Sequence, residues 1–551
     1  MLEKPRVIVY KKMSRCSRDC CYKYTKRRLP ILSWARNYKL TWLPQDALAG
    51  FTVGLTAIPQ GIAYAIVADL SPEYGLYASF MASFLYIIFG SCTSITIGPT
   101  AIMATMVQPL VTKYNADVAV LLTFLKGCII ALLGFFHLGF LLDFISLPVI
   151  TGFTAAASIN IATSQFKPLL GIPGRSEDLV DSLISVFSNL RMIRYQDTLL
   201  GIGTIAALVL LKNLPGRRTG TWSQKIAWVT ILARNALVVI VGTLMAYTFS
   251  IYDVYPFNLT GSMGHGLPPF GLPKFNAITN NFFTTVGAMG MSLVTVPIVS
   301  TIEHMAIAKA FAKGKSLDGT QEMLALGLCN IGGSLVRSMP VTGSFTRTAV
   351  NNSSGVKTTF GGLFTGALVL LAAGLLTSTF RFIPKATLAG VIICSMYYML
   401  DFKTYALLWR AKKIDFFLML ITLLFCVFLK LEWGIIIGIS LNLAILLYFS
   451  ARPSVQTEIE QVEDRTVIRI IPDESITFPA AEHFRAYIMK LSNENSYDVV
   501  LDCRNLKRTD VTVAKNLKLL ANDLGLQGKN IIYENCQDDV ESILKTVIPD
   551  H

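Results

Sequence analysis

From about Ala47 to Ser450 the chain alternates long apolar runs with short polar loops. Each run approaches the roughly 20 residues that carry a helix across a bilayer. We count fourteen such segments, starting near Ala47, Gly75, Gly98, Ala119, Phe144, Thr198, Ala227, Phe282, Gln321, Ser344, Phe360, Ala386, Phe416 and Trp433. Several are short or interrupted by Gly and Pro. The pattern predicts a polytopic α-helical membrane protein, and an even number of spans places both termini on one side.

Three parts follow from the same pattern. Residues 1–45 form a basic tail and residues 46–450 the membrane part. In residues 451–551 the charges return and the apolar runs shorten. There Val467–Ile471, Asp498–Asp502 and Asn530–Tyr533 read as strands, while Pro479–Leu491 and Val511–Leu524 carry helical spacing. This predicts a small soluble α/β domain.

Composition sharpens the class. The 551 residues are 53% hydrophobic and 15% charged, where a soluble chain carries about 25% charged residues. The net charge of +14 could suggest nucleic acid, but the positions of the cations argue against it. Ten cations from Lys4 to Arg28 precede the first span, and Lys212, Arg217, Arg218 and Lys225 share one loop. Lys309, Lys313 and Lys315 share another, and Arg410, Lys412 and Lys413 a third. This is the bias of cytoplasmic loops, so both termini are expected to be cytoplasmic. The basic tail either meets anionic lipid or is simply solvated. Arg191 and Arg194 fall outside in this scheme and count against it. The sequon Asn258-Leu259-Thr260 falls in an outside loop.

The ten cysteines form no framework. Cys16, Cys20 and Cys21 lie among basic residues, as palmitoylation sites or plain thiols. The five histidines are scattered, and we expect no metal and no cofactor. No nucleophile–base set or phosphate loop suggests an enzyme. The basic N-terminus lacks the apolar core of a cleavable signal.

The candidate chemistry is concentrated in Met339–Val350, which sets a Pro, a Gly, four hydroxyls and Arg347 between apolar segments. An arginine at membrane depth is read by default as functional. Pro340-Val341-Thr342-Gly343 predicts a short extended piece that becomes helix near Ser344. A helix start beside a cation is an anion-binding place. Ser94–Ile102 repeats this design: β-branched residues, then Gly98 and Pro99, then apolar helix. Interrupted segments at matching places in two halves point to a transporter site. Seven spans per half is an odd number, so the halves must be inverted.

Separated blocks resemble the SulP family of anion transporters over nearly the whole chain. They are Ile58–Ala65, Tyr74–Tyr77, Ile97–Ala101, Asp318–Glu322, the Met339–Val350 stretch and Ile383–Ala386. The C-terminal part is similar to the family's STAS domain, with Val500–Arg504 at its central strand. The resemblance implies fourteen spans in two inverted repeats of seven, divided into core and gate, and a homodimer. It also implies an anion site between spans three and ten, with elevator-like alternating access.

Sulfate needs positive potential and donors, because dehydrating a dianion is expensive. Expected contributors are Gln60, Thr100, Ala101, Ser344, Phe345, Thr346 and Arg347. Two readings stay open for Arg347: it sets the field for the anion, or it pairs with a carboxylate and braces the core. Gln60 either donates to the anion or satisfies broken backbone near Pro59. Glu303 is expected to couple protons, since burial favours a protonated carboxyl; the alternative is an ion pair with Arg347 or Lys309. Thr512, after Asp510, is a candidate regulatory residue or a structural member of a first helical turn. The expected activity is sodium-independent sulfate transport by exchange with chloride, bicarbonate or oxalate, or with protons. The rival is an uncoupled anion channel. The membrane is the plasma membrane, the lysosomal membrane or both.

Overall fold

The computed structural model describes residues 26–144, 146–174, 179–215, 221–261, 268–278, 282–312, 317–429, 431–462, 465–495 and 497–547. The basic cluster before Lys26, with Cys16, Cys20 and Cys21, lies outside them, as do Arg217, Arg218, Lys313 and Lys315. The chain divides into two compact units, Met1–Ile439 and Ser440–His551.

The first unit is helical. Among the described residues of the chain six helices are long and apolar enough to cross a bilayer: Leu40–Val67, Ala116–Phe135, Leu147–Leu170, Trp222–Ile251, Lys385–Ala411 and Trp433–Ala451, the last of which begins in the first unit and ends in the second. A further pair, Phe282–Met289 and Ser292–Lys309, is bent by 59° at its break. Other apolar segments form shorter helices, including Gly319–Ser334 and Gly361–Leu375.

The segments expected to start near Gly98 and Ser344 are not full-length helices. Extended backbone comes first, and the helices Ala101–Lys113 and Phe345–Ser353 have 13 and 9 residues. At 1.5 Å per residue they rise only about 20 and 14 Å. Proline explains part of this. Pro99 and Pro340 lack the N–H a helix needs and push the preceding residue toward extended backbone.

Caps set several of the other starts. Asn115 Oδ1 accepts the Val118 N–H at 3.1 Å and opens Ala116–Phe135. Asp318 Oδ1 accepts the Gln321 N–H at 3.3 Å and opens Gly319–Ser334. These two helices pack along each other with almost no side chain between them. A Cβ built on Gly327 would lie 2.7 Å from the Ala131 nitrogen. Small residues at such crossings let membrane helices approach closely. The approach puts Lys126 and Asn330 on two sides of one extended segment.

The first unit has two short strands, β1 (Ile97–Gly98) and β2 (Thr342–Gly343), and the second unit has a four-stranded sheet ordered β3 (Val455–Val462), β4 (Arg465–Pro472), β5 (Asp498–Asp502) and β6 (Ile531–Glu534). β3 runs antiparallel to β4, and β4, β5 and β6 run parallel. Helices Ala481–Glu494, Val511–Leu526 and Asp538–Val547 bury Phe484, Ile488, Leu517, Leu520 and Leu544 in one core with Ile468, Ile470, Val499 and Leu501. The sequence pattern does not flag β3, because Glu458 and Glu460 break any apolar run.

Candidate functional site

Two short strands cross inside the membrane unit. β1 (Ile97–Gly98) pairs antiparallel with β2 (Thr342–Gly343), Ile97 opposite Gly343 and Gly98 opposite Thr342. The helix Ala101–Lys113 follows β1 and the helix Phe345–Ser353 follows β2. Both helices therefore begin at the crossing. The N–H groups of Ala101 and Ile102, and of Phe345 and Thr346, have no acceptor within their own helices. They bring two positive dipole ends together.

Hydrogen bonds lock the crossing. The Ser344 N–H donates to the Thr96 carbonyl at 3.0 Å, and the Thr96 N–H donates to Thr348 Oγ1 at 3.2 Å. Thr342 Oγ1 donates to the Ser300 carbonyl at 2.8 Å. Lys126 Nζ donates to the Val341 carbonyl at 2.7 Å. Asn330 then holds Val341 from both sides, Nδ2 donating to its carbonyl and Oδ1 accepting its N–H, each at 3.0 Å.

The expected site residues gather here. Arg347 is 2% exposed, and its Nη2 donates to the Pro99 carbonyl at 2.7 Å. Its Nε and Nη1 are buried with no hydrogen-bond partner. No carboxylate lies within ion-pair distance of it among the described residues, so the alternative reading, pairing with a carboxylate, is not what holds it. It braces backbone while its charge stays unneutralised. Gly98 makes room for this: a Cβ there would come within 2.9 Å of Arg347 Nη2.

Gln60 is buried near the middle of Leu43–Val67, one residue after Pro59. Its Nε2 donates to Thr346 Oγ1 at 3.4 Å, and its Oε1 has no partner. Ser344 Oγ lies 3.4 Å from the same Thr346 hydroxyl. Thr100 is the N-cap of its helix: its hydroxyl accepts the Met103 N–H and donates to Glu303 Oε2, both at 3.4 Å. Phe345 is 40% exposed and packs edge-on to Phe311, ring centres 5.4 Å apart. A cavity of about 440 Å³ reaches Glu303 and Phe345, with Thr151, Thr154 and Tyr405 on its other wall.

Sequence reasoning missed two parts of this region. Lys126 is fully buried, and as a charge in the middle of the apolar helix Ala116–Phe135, well past Asp117 in its first turn, it could have been found by the rule that flags Arg347. The second part is a buried pair. His304 Nε2 lies 2.7 Å from Glu322 Oε2, and Tyr86 Oη donates to that oxygen at 2.9 Å. Glu322 Oε1 accepts the N–H groups of Ser91 and Cys92 at 2.9 and 3.2 Å. Glu322 is thus saturated, whereas Glu303 has one hydrogen-bond partner, Thr100, among the described residues.

Two calls lie away from the crossing. Thr512 sits exposed in the first turn of Val511–Leu526, its N–H donating to Asp510 Oδ1 at 2.8 Å. The sequon Asn258 commits Nδ2 to the Gly171 carbonyl at 3.2 Å, while its Oδ1 accepts from Arg194 at 2.6 Å. The nitrogen a glycan would take is already engaged.

The model of the sulfate permease family matches residues 43–422, which include both strands of the crossing and every residue named around it. This chain is a member of the sulfate permease family. A sodium-independent sulfate anion transporter of Bos taurus is 41% identical over 545 residues, covering 96% of this chain and 89% of that one. A probable sulfate permease of Schizosaccharomyces pombe is 31% identical, and the probable sulfate transporter 4.2 of Arabidopsis thaliana is 33% identical. The alignments take in 78% and 77% of this permease-family chain, but only 50% and 62% of those longer proteins. These relatives are named as transporters and permeases, not as enzymes. The fold matches the overall structure of SLC26A9 with a TM-score of 0.84 at 20% identity, covering 100% of this chain and 94% of that one. It matches the transmembrane domain of a cyanobacterium bicarbonate transporter, BicA, with a TM-score of 0.58 at 18% identity, covering 74% and 98%. The sulfate permease family member described here therefore has the helical fold of membrane transporters.

Proposed function

We propose that the protein is a secondary-active sulfate transporter that holds its anion between the two helix starts at the β1–β2 crossing. The observation that carries this reading is Arg347, buried at the crossing and bonded to a carbonyl rather than a carboxylate. A buried charge is ordinarily paired. Here an arriving dianion is the missing partner, and free N–H groups and hydroxyls replace its water. Gln60, Thr100, Ala101, Ser344, Phe345 and Thr346 supply donors and walls. Lys126 adds field from behind β2. Nothing in this set excludes chloride, bicarbonate or oxalate, and these are the proposed exchange partners.

Glu303 lies one hydroxyl away from the Ala101 helix start and lines the cavity. Protonation there would offset the charge of a bound dianion, so Glu303 is the proposed proton-coupling group. The cavity separates Glu303 and Phe345 from the helices that carry Thr151 and Tyr405. We read the first set as core and the second as gate, in two inverted repeats of seven spans that work as an elevator. The C-terminal α/β unit is read as a STAS domain and the protein as a homodimer, in the plasma or lysosomal membrane with both termini cytoplasmic. Thr512 stays a candidate regulatory hydroxyl because it is exposed. Independence from sodium is carried over from the name of the bovine relative.

The test is radiolabelled sulfate uptake into proteoliposomes. Uptake should rise with chloride, bicarbonate or oxalate on the far side, or with a proton gradient, and ignore sodium. Flux that follows only the membrane potential, with no counter-ion stoichiometry, would make the protein a channel.

A further inference from the structure

Helices Tyr195–Lys212 and Trp222–Ile251 pack side by side, and a cavity of about 900 Å³ runs between them, lined almost wholly by carbon. On the first helix the lining runs from Tyr195 to Leu211. At 1.5 Å per residue that is about 24 Å, longer than the half-bilayer of roughly 15 Å that one acyl tail occupies. Gly203 opens the wall midway: a Cβ built there meets nothing within 4 Å.

Two cations stand just beyond the lining at one end of this groove. Lys212 follows the lining residue Leu211, and Arg234 precedes Leu237 and Val238 by one turn. The two cations are close enough to repel each other. Lys212 Nζ lies over the Tyr398 ring, 3.0 Å from its centre, and Arg234 Nη1 donates to the Ile231 carbonyl of its own helix at 3.0 Å. Among the described residues neither cation has a carboxylate partner. Two cations without a counter-ion at the end of an apolar span are expensive unless an anion meets them. At that depth the available anion is a lipid phosphate.

We propose that the groove is a binding site for an anionic phospholipid. Its phosphate lies between Lys212 and Arg234, and one acyl chain runs past Leu211, Ala207 and Gly203 toward Tyr195. This site is distinct from the β1–β2 crossing and does not depend on the transport reading. A zwitterionic lipid carries the same phosphate, but its own cation meets Lys212 and Arg234 unfavourably, so the site discriminates by headgroup charge.

Native mass spectrometry of the full-length protein in detergent tests this with palmitoyl-oleoyl phosphatidylglycerol against phosphatidylcholine. Each basic residue near the surface contributes about 1 kcal/mol to anionic lipid binding, so with two of them phosphatidylglycerol adducts should exceed phosphatidylcholine adducts by about thirtyfold. Lys212→Gln with Arg234→Gln should remove that preference. Gly203→Leu fills the groove, leaves both cations in place and should lower adducts of either lipid. Equal binding of the two lipids by the native protein would overturn the proposal. So would an unchanged phosphatidylglycerol excess in the double variant, or undiminished adducts in Gly203→Leu. If the double variant does not fold, Gly203→Leu decides alone, because a Cβ at that position meets open space.

Discussion

Arg347 in the membrane unit and Arg469 in the C-terminal unit are both largely shielded from solvent, at 2% exposure and 14% side-chain exposure. Their partners differ. Arg469 reaches Glu534 at 2.7 Å, Glu460 at 2.8 Å and Asp502 at 3.3 Å. The sheet register brings these groups together, since Arg469 lies beside Val500, and Asp502 lies beside Glu534. Arg347 has one carbonyl and two idle nitrogens. A neutralised arginine fastens a fold. An unneutralised one leaves a positive potential that an anion can use.

The largest expected effect separates these two residues. Arg347→Ala should lower sulfate flux about 100-fold, as expected from losing a charge-assisted interaction of roughly 3 kcal/mol. Arg469→Ala should leave flux within about twofold while lowering stability by about 1–2 kcal/mol, because partial exposure screens its pairs. Flux assays in proteoliposomes, with melting of each variant, read both. Equal flux losses at equal stability would dissolve the distinction.

Lys126→Met comes next. Asn330 still holds Val341, so the crossing persists but loses a charge and one bond. Flux should fall about tenfold, the scale of one hydrogen bond to a charged group. Glu303→Gln sharpens the contrast between an idle and a saturated carboxylate. It should flatten the pH dependence of sulfate flux, whereas an unchanged pH profile would remove Glu303 from proton coupling.

The smallest effect concerns pH and the C-terminal sheet. Hydrogen bonding from Arg504, with help from Asn535, holds the Asp502 carboxyl well below the ordinary carboxylate range. Its stabilisation is therefore complete above the ordinary value of about 3.9 and is lost as pH falls below it. Hydrogen exchange at Val499–Leu501 in the full chain should accelerate from pH 4 downward. Asp502→Asn should weaken that pH dependence.

Much of this was legible in the sequence. Pro, Gly and β-branched residues announced extended backbone before the Ala101 and Phe345 helices, because each acts on its own neighbours. A charge among apolar residues announced Arg347. What stayed hidden depends on contacts distant in sequence. The bond from Lys126 to Val341 links residues 215 apart, and the Tyr86–Glu322 bond residues 236 apart. Nothing local said whether Arg347 would meet a carboxylate or a carbonyl. The half-length of the Phe345–Ser353 helix had a local signal, since Asn351-Asn352-Ser353-Ser354-Gly355 is a polar run closed by a Gly.

The central claim is the position of the anion. An experimental density map of the full-length protein with bound sulfate measures it directly. The account predicts sulfate at the β1–β2 crossing, within hydrogen-bond distance of the Ala101 and Phe345 N–H groups, and no such density in Arg347→Ala. Sulfate bound away from the crossing, or unchanged at it without Arg347, would contradict the account.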